Sequence, residues 1–338
     1  MTKPRILYAL CGTGQGHMTK AMSLMPEIKE RYDVEYLVSG LNNPLLFEVD
    51  HVLDGATFQF KDGKVDIPST FRSLNVENMF KEITNTKLSD YEFIINDHEP
   101  ITSYASYYLN YRKIYTISHQ ASFAFAQTPR PEWSLKKVPE RLLAEYVLGS
   151  YAKNASSRSF GLHFRKYHEN IMYPVLRPEI LDMKPVREGT CLVYLPKESP
   201  SELLKVFSQF ENQKFIVFDP KLKTDIDEYD NVTFKKTDNK EFLKTLETCS
   251  YGIVNAGFEL PSEMMYLKKN LMTLPQRGQY EQECNAAALK EIGVQVEKEI
   301  TYENIEKFLA SSRKNVLQPI SRPSEVLDVI EEAHRRTT

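Results

Sequence analysis

Residues 5–17 of this chain read Arg5-Ile-Leu-Tyr-Ala-Leu-Cys-Gly-Thr-Gly-Gln-Gly-His17. The run from residue 5 to residue 10 is mostly apolar, which is typical of a strand buried in a parallel sheet. The alternate glycines that follow allow a tight turn and let a ligand approach the backbone closely. A helix that begins just after them would point its free N–H groups at this turn. The stretch therefore predicts a strand–loop–helix unit of an α/β fold, with an anion or phosphate site at its corner.

The glycine loop consists of Gly12, Thr13, Gly14, Gln15 and Gly16. Its GxGxG spacing differs from the GxGxxG fingerprint of dinucleotide-binding folds, because His17 stands where the third glycine would fall. A Walker A loop needs a Gly-Lys pair before Ser or Thr, whereas here Lys20 follows Thr19. The spacing therefore argues against NAD binding and against ATP hydrolysis.

The strand–helix unit is repeated along the chain, and the alternation restarts near residue 190. The predicted strands are 5–10, 34–38, 92–96, 113–118, 191–195, 215–218, 232–235, 251–254 and 271–274. The predicted helices are 18–31, 71–85, 101–110, 201–210, 240–246, 260–267, 282–292 and 325–336. Such alternation predicts two Rossmann-like α/β domains, each with a doubly wound parallel sheet.

Prolines mark the predicted domain boundary. The segment 172–179 contains two of them, and proline favours extended backbone and ends helices. We place an N-terminal domain at 1–173, a C-terminal domain at 174–322 and a last helix at 323–338. Whether that helix packs on its own domain or returns to the first stays open at this stage.

The composition excludes several classes of protein. The 338 residues carry a formal net charge of −3, with 41% hydrophobic and 26% charged residues, which is typical of a folded globular protein and not of a nucleic-acid binder. The apolar run 6–11 is too short for a signal peptide or a membrane span. The 4 cysteines contain no CxxC pair, which disfavours structural zinc or disulfides and favours a cytoplasmic location.

One basic segment, 130–166, holds eight Lys and Arg residues against three Glu. Phe123, Phe125 and the single tryptophan, Trp133, lie at or just before its start. The interpretation that we favour is a solvated helical face over an aromatic cluster. The alternative is a peripheral contact with anionic lipid or with a phosphate-bearing acceptor at the inner face of the membrane.

A second glycine-bearing corner is predicted at 255–263, after the strand 251–254. Gly257 permits close backbone approach, and the helix start beside Glu259 can receive a diphosphate. Glu263, one to two turns into that helix, could accept two hydrogen bonds from a ribose diol. The structural alternative for Glu263 is a solvated helix residue.

The next strand is followed by a segment, 275–286, that is dense in amide and carboxylate groups. Ligands of open parallel sheets bind at the carboxyl ends of the strands. The side chains here that could bond sugar hydroxyls are Gln279, Glu281, Gln282 and Asn285. A polar loop with a helix cap is the alternative for each of them alone, and the succession of two such clusters favours a binding site.

Ionisable side chains also follow the first glycine loop and two strands of the first domain. The candidates for a general base are His17, Asp97, His98, Glu99 and His119. Because imidazole groups titrate near neutral pH, we rank His17 first, then His119, then Asp97 or Glu99. The structural alternative for each is capping of the next helix, for which Asp97 is a natural N-cap.

These motifs resemble those of GT-B glycosyltransferases, and most closely the branch around the peptidoglycan N-acetylglucosaminyl transferase, in families 28 and 1. Residues 12–17 are similar to the N-terminal glycine loop of that family. Residues 255–263 look like its donor motif, and 279–294 look like the element that reads the donor sugar. The resemblance spans both halves of the chain and implies two Rossmann-like domains that face a cleft.

The resemblance also implies roles in binding a UDP-sugar donor. Glu263 would bind the ribose, Gly257 with Phe258 the diphosphate, and Gln279 with Gln282 the sugar.

Two positions depart from the family pattern. Ala256-Gly257 replaces a Gly-Gly pair, and 195–199 lacks the glycines of the usual phosphate loop, so that Lys197 or Ser199 would contact phosphate instead.

The implied reaction is the transfer of a hexosyl group from a nucleotide diphosphate to a hydroxyl acceptor, with inversion. It needs one base and one electropositive site for the leaving diphosphate, which helix N-termini with Lys197 or Arg277 could supply. We identify no Asp-x-Asp pair that would hold a catalytic divalent ion, and we expect neither a metal nor another cofactor. A lipid-linked glycan, a secondary metabolite and a polysaccharide repeat are all compatible acceptors.

Two other functions fit the same sequence features. A nucleotide-sugar 2-epimerase shares this architecture and UDP-sugar substrates, although the catalytic cluster usual in its second domain is not evident here. A non-catalytic sugar-nucleotide sensor, or a partner subunit of another transferase, would keep the diphosphate site and would not need the base.

Overall fold

The computed structural model describes residues 2–13, 15–42, 44–55, 60–61, 64–65, 75–132, 141–142, 145, 158–227, 229–311 and 319–337. The chain divides into two compact units. The first unit comprises Met1–Thr128, Trp133–Pro178 and Ile320–Thr338, and the second comprises Pro129–Glu132 and Glu179–Pro319. Each unit has its own parallel sheet, which confirms the predicted fold class of two Rossmann-like α/β domains.

The first unit is built on a seven-stranded sheet. Its strands are β1 (Arg5–Cys11), β2 (Asp33–Ser39), β3 (His51–Leu53), β6 (Ile94–Asp97), β7 (Ile114–Ser118), β8 (Ser159–Leu162) and β9 (Ile171–Met172), and a separate antiparallel pair is formed by β4 (Phe60–Lys61) and β5 (Lys64–Val65). The strand order is β3-β2-β1-β6-β7-β8-β9, and all neighbours are parallel. The direction of winding reverses between β1 and β6, so their carboxyl ends form the switch point at which doubly wound sheets bind ligands.

Three of the helices described in the first unit lie between these strands in the chain. They are α1 (Gly16–Arg31), α2 (Val76–Asn85) and α3 (Pro100–Tyr108). On one side of the sheet, Leu7, Leu37 and Ile94 pack with Ala105 of α3 into a buried apolar cluster. This burial explains why strand residues with uninterrupted apolar side chains form the centre of the sheet.

The second unit repeats the same topology in a six-stranded sheet. Its strands are β10 (Cys191–Tyr194), β11 (Phe215–Asp219), β12 (Val232–Lys236), β13 (Tyr251–Asn255), β14 (Asn270–Leu274) and β15 (Gln295–Val296). The order β12-β11-β10-β13-β14-β15 is parallel throughout and places a second switch point between β10 and β13. The helices are α4 (Pro178–Leu181), α5 (Pro200–Phe207), α6 (Asn239–Thr248), α7 (Glu259–Tyr266), α8 (Tyr280–Glu291) and α9 (Tyr302–Ala310).

The last helix, α10 (Pro323–Arg335), belongs to the first unit. The Arg31 guanidinium at the end of α1 lies 2.7 Å from Asp328 and 2.9 Å from Glu331 of α10. The backbone N–H of Ser321 donates to the Pro174 carbonyl at 2.9 Å, just before the helix begins. The C-terminal helix thus packs against α1.

The predicted elements that fall on described residues are present, with ends that differ by a few residues. The elements that the sequence did not predict are β3, β4, β5, β8, β9, β15, α4 and α9. Most of them have two to four residues, which is too short for a hydrophobic period to be recognised. Residues 71–74 of the predicted second helix lie outside the described residues.

The basic segment 130–166 is described only in part, because 133–140, 143–144 and 146–157 lie outside the described residues. Its membrane contact therefore stays a prediction. Just before it, Phe123 is buried against the His119 ring, and the Phe125 ring stacks on His168 with centroids 4.3 Å apart. Within the described part of the chain, no helix has the length and apolar character needed to cross a bilayer.

Candidate active site

The chain leaves β6 through a turn with an unusual backbone. His98 has φ 57°, in the left-handed region that residues other than glycine seldom occupy. The Asn96 side chain stabilises the turn, since its Oδ1 accepts from the Glu99 N–H at 3.2 Å and its Nδ2 donates to the Glu99 carbonyl at 2.7 Å. Backbone strain of this kind concentrates at functional sites.

The turn places Asp97 beneath the first turns of α1. Asp97 is the last residue of β6 and lies in register with Leu10 of β1, so that the helix entering after β1 passes over it. Asp97 Oδ1 is 2.8 Å from His17 Nδ1 and 2.5 Å from Lys20 Nζ. All three residues are buried, with relative exposures of 0% for Asp97, 8% for His17 and 2% for Lys20. The structure thus assembles a buried histidine–aspartate–lysine cluster at the first switch point.

Electrostatics keep the Asp97 carboxylate ionised. Burial alone would raise the pKa of Asp97, but the adjacent Lys20 ammonium and the His17 imidazole outweigh it and hold that pKa below its ordinary value. An ionised carboxylate accepts hydrogen bonds only, so the His17 proton in this contact lies on Nδ1. In the neutral form of His17, the lone pair would then be on the other ring nitrogen, Nε2.

The neighbouring His98 ring is held neutral. It lies parallel to the His17 ring, with centroids 6.0 Å apart and an interplanar angle of 6°. Burial lowers the pKa of His98 to about 3. His98 therefore adds no positive charge to the cluster at neutral pH.

Glu99 is the N-cap of α3. Its Oε1 accepts from the Ile101 N–H at 2.7 Å and from Ser39 Oγ at 2.5 Å, and its Oε2 accepts from the N–H and the hydroxyl of Thr102, both at 2.6 Å. The structural alternative for Asp97, that it caps this helix, was wrong, because Asp97 is held by α1 instead. Burial raises the pKa of Glu99, although these hydrogen bonds oppose the shift.

The fifth candidate base, His119, lies just after β7. Its Nδ1 is 2.9 Å from the Leu162 carbonyl, to which it donates, and it is buried. The rings of Phe123 and His163 pack against it at 5.2 and 5.1 Å. His119 therefore takes part in a packed aromatic and histidine cluster beside β8.

The first glycine loop has a structural reason for Gly12. A β-carbon at position 12 would lie 2.8 Å from the Leu41 Cα and 2.9 Å from Val38 Cγ1. Because the Leu41 backbone lies so close to the loop, this position requires glycine. Thr13 Oγ1 lies 3.4 Å from the Gly40 carbonyl, and Gly14 lies outside the described residues.

The two residues that follow, Gln15 and Gly16, are exposed. Gln15 is the N-cap of α1, with no side-chain hydrogen bond to the helix, and Gly16 is the first helical residue.

In the second unit, Gly257 lies directly between β13 and α7. A β-carbon at this position would have no heavy atom within 4 Å, and its backbone needs no positive φ. Packing therefore does not explain a glycine here, which agrees with open space for a ligand next to the backbone. Phe258 is the N-cap of α7 without a side-chain cap, and Glu259 lies in the first helical turn.

Glu263 lies one turn into α7, as the sequence predicted, and is 3% exposed. The preceding Ser262 is also buried, and its hydroxyl donates to the Phe258 carbonyl at 2.7 Å. Glu263 is therefore not a solvated helix residue, which was its structural alternative.

The amide side chains after β14 are linked to each other. Gln282 Nε2 donates to Gln279 Oε1 at 2.8 Å, and Gln282 Oε1 accepts from the Gln276 N–H at 2.9 Å. The buried Asn285 donates from Nδ2 to the Ala256 carbonyl at 3.1 Å, which joins this segment to the corner before α7. Glu281 is half-buried in the first turn of α8. The structure thus brings the two predicted donor segments together.

The candidate phosphate ligands occupy more open positions. Arg277 is exposed and pairs with Glu299 at 2.7 Å, and Lys197 is exposed in the loop after β10. Ser199 is the N-cap of α5, and its Oγ lies 2.7 Å from Ser201 Oγ.

Helix capping differs between the helices at these corners and other helices. Side chains cap α2, α3, α6 and α9, through Asn75, Glu99, Asp238 and Thr301. By contrast, α1, α5, α7 and α8 start at the predicted ligand loops without a side-chain cap hydrogen bond. The N-terminal end of a helix carries partial positive charge, which favours an anionic ligand at such corners.

The expectation that the sequence lacks an Asp-x-Asp pair was wrong, because Asp225 and Asp227 form one, but both carboxylates have local partners. Asp225 Oδ1 accepts from the Lys236 N–H at 2.9 Å, and Asp227 Oδ1 accepts from the Thr233 hydroxyl at 2.8 Å. Across the residues that the structure describes, no group of three or more His, Cys, Asp or Glu side chains is arranged to hold a metal ion.

The sequence predicted His17 and Asp97 as separate candidate bases, but it did not predict their contact with each other. Lys20 was not among the predicted site residues. A signal for Lys20 was present, because residues three apart on a helix share a face and Lys20 follows His17 by that spacing. A lysine on a face that otherwise packs on a sheet needs a buried acceptor.

Two doubly wound parallel units, each with an uncapped helix at its switch point, define a protein of the GT-B class. The family model of glycosyl transferase family 1 matches residues 4–312, and the chain belongs to this family. The protein is a glycosyltransferase. Among curated proteins, none is significantly similar to the chain in sequence.

Several solved glycosyltransferases have the same fold. A UDP-glucosyltransferase from Polygonum tinctorium is 13% identical, with 99% of this chain and 94% of that chain covered and a TM-score of 0.61. CalG4, the calicheamicin glycosyltransferase, is 15% identical, with 100% of both chains covered and a TM-score of 0.60. MurG from Acinetobacter baumannii is 13% identical, with 97% and 100% covered and a TM-score of 0.53. At these identities the likeness shows the shared fold alone.

Proposed function

We propose that this glycosyltransferase moves a hexose from a nucleotide diphosphate sugar, in the first instance a UDP-sugar, to a hydroxyl acceptor, with His17 as the general base. The observation that carries the proposal is the 2.8 Å contact between His17 Nδ1 and Asp97 Oδ1 at the switch point of the first unit. A histidine oriented by a buried carboxylate is the arrangement that general-base catalysis needs.

The chemical step follows from this pair. The acceptor hydroxyl gives its proton to His17 Nε2 while its oxygen forms a bond to the anomeric carbon of the sugar. The bond between that carbon and the phosphate oxygen breaks, and its electron pair leaves with the nucleoside diphosphate. Asp97 stabilises the imidazolium that forms, and a single displacement inverts the anomeric configuration.

The second unit would bind the donor. Gly257 leaves room beside the backbone for a diphosphate, and the positive end of the α7 dipole would lie beside it, because α7 begins two residues later. The hydrogen-bonded pair of Gln279 and Gln282 would bind the sugar hydroxyls. Glu263 would bind the ribose, and Lys197 or Ser199 would contact phosphate, as expected from the resemblance. The name of the structurally similar Polygonum enzyme supports UDP as the nucleotide to try first.

No metal is required in this scheme. The charge of the leaving diphosphate would be balanced by the positive ends of the helix dipoles at these corners and by cations such as Arg277. A transfer rate unchanged by excess EDTA is the expected result.

The test has two stages. A thermal-shift panel of nucleotides and nucleotide sugars identifies the donor, since a ligand at 100 times its dissociation constant adds about 2.7 kcal/mol of stability. The donor is then incubated with hydroxyl acceptors, including lipid-linked glycans, and the product anomer is assigned by NMR. His17→Ala should bind the donor as the wild type does and transfer roughly 10²- to 10⁴-fold more slowly. Near wild-type transfer by His17→Ala, or epimerised donor without acceptor, would contradict the proposal.

A further inference from the structure

The general-base step described above has no role for the buried Lys20 ammonium. It lies one helical turn after His17 on the same face of α1 and is 2% exposed. Its Nζ donates to Asp97 Oδ1 at 2.5 Å, the same oxygen that His17 Nδ1 contacts at 2.8 Å. A lysine is seldom buried unless its charge is paired, and this pairing occurs inside the candidate active site.

We infer that Lys20 is a positioning residue whose charge keeps His17 in its neutral form, with the proton on Nδ1 and the lone pair on Nε2. This inference rests on the proposed function, because it concerns how the base of that reaction is prepared. Lys20 would affect the reaction by acting on Asp97 and His17, without contacting the substrate.

The charges of the cluster support this role. Lys20 and Asp97 already neutralise each other, so a neutral imidazole that donates from Nδ1 completes the cluster without excess charge. A proton on Nε2 would place a second positive charge within roughly 5 Å of the ammonium in a buried site, where like charges repel strongly. A simple histidine–aspartate pair would do the opposite, because the unshared carboxylate would favour the imidazolium.

The other groups that face His17 and Asp97 do not replace this cation. His98 stacks on the His17 ring and is neutral, since burial lowers the pKa of His98 to about 3. The Tyr8 hydroxyl from β1 lies 3.5 Å from Asp97 Oδ2. Glu99, which follows β6, accepts a hydrogen bond from the Thr102 N–H at the start of α3. His119, which follows β7, donates to the Leu162 carbonyl. The charge that opposes protonation of His17 is therefore that of Lys20.

The experiment measures the protonation of His17 directly, without a substrate. Protein labelled with ¹⁵N-histidine is titrated by NMR, and His17→Gln identifies the His17 signals by their loss. Lys20→Gln keeps a side chain that can donate to Asp97 but removes the charge, whereas Lys20→Arg keeps the charge. We expect the midpoint of His17 protonation to rise by one pH unit or more in Lys20→Gln and to change little in Lys20→Arg.

The wild-type spectrum makes the test independent of whether Lys20→Gln folds. It should show His17 at pH 7.5 as the neutral Nδ1–H tautomer. A doubly protonated ring or the Nε2–H tautomer there, or an unchanged midpoint in folded Lys20→Gln, would overturn the role of Lys20. Normal transfer by His17→Ala would instead overturn the proposed base, so the two failures are distinguishable. With an active donor and acceptor, the acidic limb of kcat/KM should move with the NMR midpoint.

Discussion

His17 and Asp97 are 80 residues apart in the sequence, and their Nδ1 and Oδ1 atoms are 2.8 Å apart in the structure. The contact exists because β1 and β6 are parallel neighbours at a point where the sheet changes its direction of winding. A loop that leaves one strand and a side chain that ends the other must then meet at one edge. The pairing follows from topology and not from any local feature of either segment.

Replacing the Asp97 carboxylate by an amide should impair catalysis more than donor binding. Asp97→Asn has nearly the same size, but its amide can donate to His17 and stabilise the wrong tautomer. We expect transfer to slow roughly 10²- to 10⁴-fold, with the donor affinity within about 3-fold of wild type. Single-turnover kinetics and calorimetric donor binding measure the two effects. The exposed Asp328→Asn on α10 is the matched control, and equal rates for the two variants would refute the role of Asp97.

The sequence predicted the sheets better than the site. Strands such as β1, β7 and β13 are mostly apolar, and burial on both faces of a parallel sheet favours that pattern. By contrast, β9 and β15 have two residues each, which is too few for a hydrophobic period to be recognised.

At the site, the residue types were predictable and their partners were not. Glu99 was a candidate base, yet the hydrogen bonds of an N-cap decide its role. Because the α-helix starts at Pro100, its N-cap is Glu99 and not Asp97. This shift of two residues is within the uncertainty of a helix boundary predicted from sequence. Lys20 was present in the sequence, but its burial became visible only with α1 laid over β6.

Gly257 offers a test that separates ligand binding from folding. Because a β-carbon there meets no atom within 4 Å, Gly257→Ala should fold with unchanged or slightly raised stability. If the diphosphate approaches this backbone, the added methyl group should weaken nucleotide binding by roughly 10-fold or more. Calorimetric titration with UDP, beside a thermal melt, gives both values.

Gly252→Ala is the control for the prediction at Gly257. Its added β-carbon would lie 2.3 Å from Met264 Sδ, so this substitution should lower the stability of the protein. Unchanged UDP affinity in Gly257→Ala would place the diphosphate elsewhere.

Glu35 of β2 should contribute to acid sensitivity of the first unit. Burial raises its pKa, but hydrogen bonds from Tyr91, Arg5 and His51 outweigh that effect and lower the pKa of Glu35 to about 2. The unfolded chain therefore binds a proton at this residue at pH 3, whereas the folded protein does not. The stabilisation is present above about pH 5 and is lost as the pH falls towards 2.

Glu35→Gln removes this contribution at every pH. The difference in unfolding free energy between wild type and variant should be on the order of 1 to 2 kcal/mol at pH 6, given that Glu35 is partly exposed, and should shrink towards zero near pH 2. Urea unfolding at a series of pH values measures it. Exposed Glu48→Gln should give a curve parallel to wild type, and a Glu35→Gln difference that is constant with pH would contradict the assignment.

Lys269 should be a stabilising residue of the second unit. Its side chain is 0% exposed, and its ammonium donates to three backbone carbonyls, those of Val186, Glu247 and Cys249, at 2.8, 2.6 and 2.8 Å. The three carbonyls come from the segment before β10 and from the end of α6, so one side chain ties both to the start of β14. Burial lowers the pKa of Lys269, but the ring of carbonyl oxygens favours the charged form that donates to all three.

Lys269→Met fills similar volume and leaves these carbonyls without their donor, which should cost roughly 3 kcal/mol or more of unfolding free energy. The adjacent Lys268 is exposed, and Lys268→Met is the matched control, expected to lie within about 0.5 kcal/mol of wild type. Calorimetry of both variants tests the difference. In Lys269→Met, amide hydrogen exchange should become faster at 186–191 and 247–251. Exchange at Asp97 and its neighbours should not change, because they belong to the first unit and Lys269 to the second. Equal stability of the two variants would mean that water replaces the ammonium at no cost.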